Sequence, residues 1–400
     1  MTFQNRKLVH VYFMWKKQKI PMGRLVLNNR QLFFEYLPEF IKTELQLSPF
    51  KLPLKPGVFA CEDRLFEGLF GVFNDSLPDG WGRLLLDRKL KKIGINPGNL
   101  TQLDRLCFVG NRGMGALIYE PATNDEAASN YARLDKLAEE ALEFQECDDD
   151  RFVDNLLNLN GSSAGARPKI LIKINQEDWI IKFPSLIDPK DIGSIEYAYH
   201  LMANEAQLDV PSAKLFPSHR NPGYFGVKRF DRVDESCVHM HTISGLLHAD
   251  HRLPSLDYAT IIKATLWLTK NSKECEKQFR AAAFNVLSHN RDDHAKNFSF
   301  LMDDKGAWRV SPAYDLTFSS GPAGEHCSMI MNEGKNPTLS HLMKLAEIAG
   351  VKQQRALLII DEVRSAVSRW KDFAKTTGVS STSLKMIQTT LNRLAKNIFS

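Results

Sequence analysis

The chain has 400 residues, enough for two domains or one large composite core. Its net charge of +5 is too mild to indicate nucleic-acid binding by itself, and no run of about 18 apolar residues is present to span a membrane. The six cysteines (Cys61, Cys107, Cys147, Cys237, Cys275 and Cys327) are scattered without a Cys-x-x-Cys spacing. That favours reduced thiols in a cytoplasm over a disulfide framework or a zinc site.

Residues Met1–Lys7 lead into alternating residues and not into a continuous apolar signal core. Leu8–Phe13 predicts a strand, Lys16–Ile20 a turn, and Gly23–Leu27 and Leu32–Tyr36 further short strands. Leu52–Leu54 and Val58–Ala60 extend this small β-rich unit. Phe73–Arg83, with Pro78 and Gly80, predicts a sharp structural corner before a helical run from Leu84 to Arg88. Leu103–Val109 predicts a second helix or buried segment. The turn Gly110–Gly115 leads into a strand over Ala116–Tyr119 and resembles a nucleotide loop only weakly. Residues Glu120–Asn130 form a candidate linker. Ala132–Glu146 is an acidic amphipathic helix that ends in a solvated charge run, Cys147–Asp150.

A small-residue loop, Gly161–Lys169, opens the second half and runs straight into a strand over Ile170–Ile174. Its backbone N–H groups can approach a phosphate closely, and Ser162 and Ser163 lie within it. Lys182 follows in the strand Trp179–Phe183. A Lys in a buried strand is costly unless its ammonium meets an anion. Glu196, in the first turn of a helix over about Ser194–Gln207, is a candidate partner, although an acid there also suits helix polarity. Tyr224–Arg232 is a strand passing into a basic-aromatic segment. His239, His241, His248 and His251 come from a strand and a separate loop with no cysteine partners, which disfavours zinc. Helices are predicted over Tyr258–Leu268, Cys275–Leu287, Leu342–Ala349, Gln354–Thr376 and Ser381–Ile398.

Asn290–Phe300 carries the chemistry. Asp292, four residues and Asn297 repeat the order of a protein-kinase catalytic loop, in which the Asp accepts a hydroxyl proton and the Asn holds Mg²⁺. Phe298–Met302, a turn at Asp303–Gly306 and Trp308–Val310 predict a hairpin that returns Asp315 near Asn297. Both can then face one hard cation. A rival reading makes Asp292, Asp293 and His294 hydrolase metal ligands, but leaves the hairpin and the second Asp unexplained. Polar clusters of this kind are also common in ordinary turns.

These motifs in this order resemble the HipA family, bacterial toxin-type serine/threonine protein kinases. The resemblance rests on Ser162–Lys169, Ile181–Pro184, Lys228–Arg232, Asp292–Ser299 and Ser311–Asp315, and more loosely on Phe73–Arg83 and Gly110–Pro121. It covers most of the chain. It implies an α+β, two-lobed protein-kinase-like fold: a β-rich N-terminal subdomain (1–125) and a kinase-like domain (126–400), whose N-lobe spans about 150–232 and whose helical lobe spans about 240–400. It implies ATP and Mg²⁺ as cofactors. Asp292 is then the catalytic base, Asn297 and Asp315 hold magnesium, and Lys182 binds the ATP phosphates. Ala164, Gly165, Ala166, Arg167, Pro168 and Lys169 form the phosphate loop. Lys228, Arg229 and Phe230 line the adenine side, His294, Ala295 and Lys296 lie by the phosphates, and Tyr314 precedes the metal-binding Asp315. Ser162 matches an autophosphorylated serine, with Ser163 beside it, and its modification implies self-inactivation.

The resemblance also implies a translation-related protein substrate such as an aminoacyl-tRNA synthetase, a HipB-like antitoxin partner, and DNA contact only through that antitoxin. Alternatives are a non-catalytic toxin–antitoxin subunit holding a DNA-binding antitoxin, and a small-molecule kinase on the same fold. Three departures stand out. Arg167-Pro168 occupies the place of Gln-Glu in well-known members. Asp293 stands where Gly is frequent and puts two acids side by side. Lys228 replaces a common acid and leaves adenine recognition to backbone atoms.

Overall fold

Strand β1 (Leu8–Trp15) buries Val9, Val11 and Phe13 on one face, the two-residue period of a half-covered sheet. The structure, a computed structural model, describes residues 4–123, 134–146, 151–160, 165–254 and 256–399. The predicted turn at Lys16–Ile20 is tighter than its sequence suggests. Lys16 and Lys17 alone take left-handed backbone (φ 48° and 64°), and β2 (Gln18–Asn28) begins at once. With β3 (Gln31–Tyr36), β4 (Val58–Ala60) and β5 (Leu117–Glu120) these strands form an antiparallel sheet in the order β4-β3-β2-β1-β5. Leu52–Leu54, expected to extend it, is not a strand; Leu52 is buried against the sheet's core instead.

Besides two single-turn helices at Pro38–Ile41 and Gly71–Asn74, two longer helices complete this unit. Helix α1 (Gly80–Lys92) is entered from the Phe73–Arg83 corner, and α2 (Gln102–Val109) starts on a Thr101/Asp104 capping box. Trp81 and Leu85 of α1 pack on Phe144 of α3 (Leu134–Glu146) and on Val153 and Leu156 of α4 (Val153–Asn160). The expected charge run at 147–150 and most of the expected linker lie outside the described residues.

The second sheet has the order β6-β7-β9-β8, from β6 (Lys169–Ile174), β7 (Glu177–Lys182), β8 (Ala213–Phe216) and β9 (Tyr224–Lys228). Helix α5 (Ile192–Glu205) crosses between β7 and β8. Strand β10 (His239–Thr242), helix α6 (Ile243–Leu247), α7 (Tyr258–Thr269) and α8 (Ser272–Leu287) lead to a hairpin of β11 (Ser299–Met302) and β12 (Trp308–Val310), on which β10 adds a third strand. The chain ends in α9 (Leu339–Ile348), α10 (Gln353–Ser368), α11 (Trp370–Thr376) and α12 (Ser381–Phe399). The helix expected over Gln354–Thr376 is therefore two, broken at Arg369 (φ −87°, ψ 12°) so that Trp370 buries completely. One apolar cluster joins α5 and α7–α12. Among the described residues no helix is long and apolar enough to cross a membrane.

The two halves are locked by buried polar contacts. Asp75 accepts from His241 Nδ1 (2.6 Å), the Thr242 N–H (2.7 Å) and the Thr242 hydroxyl (2.7 Å). Gly71 approaches Gly245 so closely that a Cβ would lie 2.0 Å from its carbonyl oxygen. The Gly110–Gly115 turn serves the same interface. Gly113 O accepts from Arg229 and Arg232, and the Gly115 N–H donates to Asp231 (2.8 Å).

Candidate active site

Helix α8 delivers the chain to Asn290, whose amide nitrogen donates to Asn285 Oδ1 at 2.9 Å. The adjacent acids then diverge. Asp293 is buried: its carboxylate accepts from the Tyr258 hydroxyl (2.8 Å), the Cys327 N–H (2.8 Å) and the Ser328 N–H (3.2 Å), and contacts His326 Nδ1 (2.8 Å). It is a clasp between α7 and the segment after the hairpin. Asp292 lines a large cavity, with 52% of its side chain open to solvent. Burial of its carboxyl group, with Asp315 and Asp293 nearby, moves its pKa above the ordinary value, and the water reaching it limits that shift.

A single 3₁₀ turn, Ala295–Asn297, joins this loop to β11. The Asn297 amide nitrogen donates to the Asp292 carbonyl at 2.6 Å, which leaves the amide oxygen as the atom able to meet a cation. The hairpin forms where predicted, with Phe300 opposite Val310. It brings the Tyr314 hydroxyl to the Lys296 carbonyl and to Ser299 Oγ, each at 2.5 Å. Asp315 follows in left-handed backbone (φ 56°), a conformation uncommon outside Gly and Asn and enriched at functional sites.

Asp315 faces the other sheet. Lys182, the last residue of β7, places its ammonium 2.5 Å from Asp315 Oδ1 and 2.9 Å from Glu196 Oε2 of α5. Lys182 is 12% exposed and Glu196 3%. Burial alone would lower the lysine's pKa, but the Asp315 and Glu196 carboxylates outweigh it and hold it above the ordinary value. Lys182 in turn keeps the Asp315 carboxyl well below the usual carboxylate range. Arg167 bonds both oxygens of Asp188 (3.1 Å each) and the second oxygen of Glu196. Lys169 is buried beside these groups, and burial with the Lys182 charge pushes its ammonium down to about 8.

These groups share a cavity of about 1160 Å³ lined by Gly165, Ala166, Arg167, Lys169, Lys182, Asp292, His294, Lys296 and Asp315. Nearly half its wall comes from the N-terminal half, including Arg64, Asp79, Gly80, Arg83 and Arg105. Asp79 was not singled out by sequence reasoning, since Pro78-Asp79-Gly80 is ordinary turn chemistry. Its partners lie far along the chain, and only a second polar motif at Lys296 hints at it. His251, from the loop after α6, also reaches this wall; its ring centre is 5.9 Å from that of His294.

The remaining expected residues are placed elsewhere. Asn297 and Tyr314 line a neighbouring cavity of about 430 Å³. Ala295 is buried, and Pro168 accepts a backbone hydrogen bond from Phe183 at 2.8 Å. Lys228 pairs with Glu177 (2.7 Å), and Arg229 is buried against Asp231. The N–H groups of Lys228 and Arg229 are already used by the Ser212 and Asp178 carbonyls, each at 2.8 Å. The Phe230 ring packs on Tyr314 at 5.5 Å. None of the three lines the large cavity. Ser162, Ser163 and Ala164 lie outside the described residues.

Residues 161–370 match the HipA-like C-terminal domain, and residues 14–120 match the HipA N-terminal domain. Y4dM of Sinorhizobium fredii, provisionally named a kinase, is 24% identical over 333 residues, which cover 76% of this chain and 77% of that protein. Y4mE of the same organism, named likewise, is 34% identical over 205 residues, 44% of this chain and 47% of its own length. Among solved structures, a chain of the Shewanella oneidensis MR-1 complex of HipA, HipB and operator DNA shares the fold. It covers 96% of each chain with a TM-score of 0.71 at 15% identity.

Proposed function

The chain belongs to the HipA family, and from that premise we propose that it is a serine/threonine protein kinase that takes the γ-phosphoryl group of ATP, with Mg²⁺, to a protein hydroxyl. The observation that carries this reading is Lys182 held between Glu196 and Asp315 across a cavity that Asp292 also lines. Lysine, helix glutamate and metal carboxylate have to be in place together for phosphoryl transfer of the kinase type.

The donor set suits the cofactor. Mg²⁺ is usually held by one or two carboxylates plus phosphate oxygens and water, without a dedicated protein cage. Asp315 stays ionised because of Lys182 and lines the large cavity, while Asn297, whose amide oxygen would be the second protein donor, lines the neighbouring one. Among the described residues no cluster of three or more His, Cys, Asp or Glu side chains forms a ready cage. When bound, Mg·ATP supplies the transferable group and neutralises the charge that develops on it. Lys182, Lys169 and Ala166 line the wall where anionic oxygens are best stabilised, with Gly165 placed beside them. Asp292 orients the acceptor hydroxyl and takes its proton; its raised pKa makes it a better base than an ordinary carboxylate. Asp293 has its lone pairs committed and is not the base.

Three further parts of the reading stand on the family. The acceptor is a protein of the translation machinery, and a HipB-like antitoxin is the partner, with DNA reached only through it. Phosphate on Ser162 or Ser163 silences the enzyme, because a dianion a few residues from Gly165 repels the phosphates of ATP. Phosphoproteomics of cells expressing the parent or Asp292→Ala protein tests the assignment. New phosphoserine or phosphothreonine confined to the parent is the expected result. Identical phosphosites in the two, or a phosphorylated small molecule in their place, removes it.

A further inference from the structure

The corner between Phe73 and Arg83 reaches both loops of the cavity at once. Asp79 Oδ1 accepts from the Gly165 N–H, and Asp79 Oδ2 accepts from Lys296 Nζ at 2.9 Å. The Trp81 N–H returns a hydrogen bond to the Gly165 carbonyl at 3.1 Å. Gly165 is thus gripped on both sides of its own residue. Gly80 lies between these contacts at φ +41°, and a Cβ there would sit 2.7 Å from Gly165 O and 2.8 Å from Ala166 Cα. Lys296 is 6% exposed, so its ammonium has little water to turn to. His251 Nε2 stands 3.9 Å from the same carboxylate oxygen. Trp81 is itself anchored edge-on to Phe144, with ring centres 5.4 Å apart.

We propose that Asp79 is a positioning residue of this site: from the N-terminal subdomain it ties the phosphate loop, through the Gly165 amide, to the catalytic loop, through Lys296. Its effect on ATP rests on the kinase reading above; the tie itself does not. One carboxylate serves two loops that are far apart in sequence, so loop placement and catalytic-loop placement become one equilibrium. The two domains then make a single phosphate-binding unit, and the N-terminal subdomain is part of the active site. A mere packing role for Asp79 would move global stability and leave the Gly165 amide and the ATP dependence in proportion to it.

Hydrogen exchange and steady-state kinetics on the full chain separate these cases. In Asp79→Asn, Gly165 keeps at most one neutral acceptor. Exchange in the peptide holding Gly165 rises while that of α8 is unchanged. KM for ATP rises about tenfold with kcat within about threefold, the scale of one charge-assisted hydrogen bond. Gly80→Ala alters no charge and pushes on the same carbonyl; it raises exchange at Gly165 as well, which keeps the test open if Asp79→Asn folds poorly. Unchanged exchange at Gly165 in both variants overturns the proposal, whether or not the parent transfers phosphate. A fall in kcat with KM unaltered also overturns it. A parent that transfers no phosphate but shows the exchange response leaves the tie standing and removes the kinase reading alone.

Discussion

Replacing Lys182 by Met removes a buried cation from between two carboxylates. Breaking one partner out of a buried ion pair costs about 3–5 kcal/mol. Two features reduce that here: Glu196 keeps Arg167, and Asp315 is 32% exposed, so water takes up part of its charge. The expected loss is about 2–3 kcal/mol at pH 7. Its pH dependence follows from the two shifts. Lys182 has a raised pKa, so its contribution is complete below the unfolded value of about 10.4 and is lost only as pH climbs through the folded value. Asp315 has a depressed pKa, so its contribution is complete above the unfolded value of about 3.9 and is lost as pH falls through the folded one. The gap between parent and Lys182→Met is therefore flat from pH 5 to 9 and narrows below about pH 4. Urea unfolding followed by tryptophan fluorescence measures it at pH 7 and pH 3. A gap under about 0.5 kcal/mol at pH 7, the scatter of ordinary surface substitutions, or one unchanged at pH 3, refutes the pairing.

Neighbouring acids should behave oppositely. Asp293→Ala strands the Tyr258 hydroxyl, His326 and two N–H groups, and destabilises by about 3–5 kcal/mol. Asp292→Ala, at a half-exposed side chain, changes stability by less than about 0.5 kcal/mol. The same urea titration decides, and equal effects would contradict the division of roles. Lys169, pushed down to about 8 by burial and by Lys182, sheds its proton as pH rises past that value. The kcat/KM for ATP should fall across pH 8, and a Lys169→Met enzyme should show no such descent; a descent persisting in that variant assigns it to another group.

What could be read from the residues was largely local. The hairpin from Ser299 to Val310 has alternating apolar residues around an Asp-Asp-Lys-Gly turn, and both strands form as expected. Lys182 and Glu196 are 14 residues apart, and the choice between an ion pair and simple helix polarity needed the structure. Asp79 was illegible because its partners lie 86 and 217 residues away, and nothing local distinguishes it from any other turn Asp. Arg229 is a different case. The family resemblance put it on the adenine side, and the structure pairs it with buried Asp231, two residues on. The break at Arg369 escaped because hydrophobic periodicity continues through it while the backbone does not.

Transfer of label from γ-labelled ATP, with Mg²⁺, by purified parent and by Asp292→Asn probes the site most directly. Incorporation into protein by the parent should fall at least about a hundredfold in the variant, the contribution typical of a positioned base, while both bind ATP equally well. Equal labelling of the two proteins would mean that Asp292 does not take the hydroxyl proton and that this cavity does not carry the chemistry.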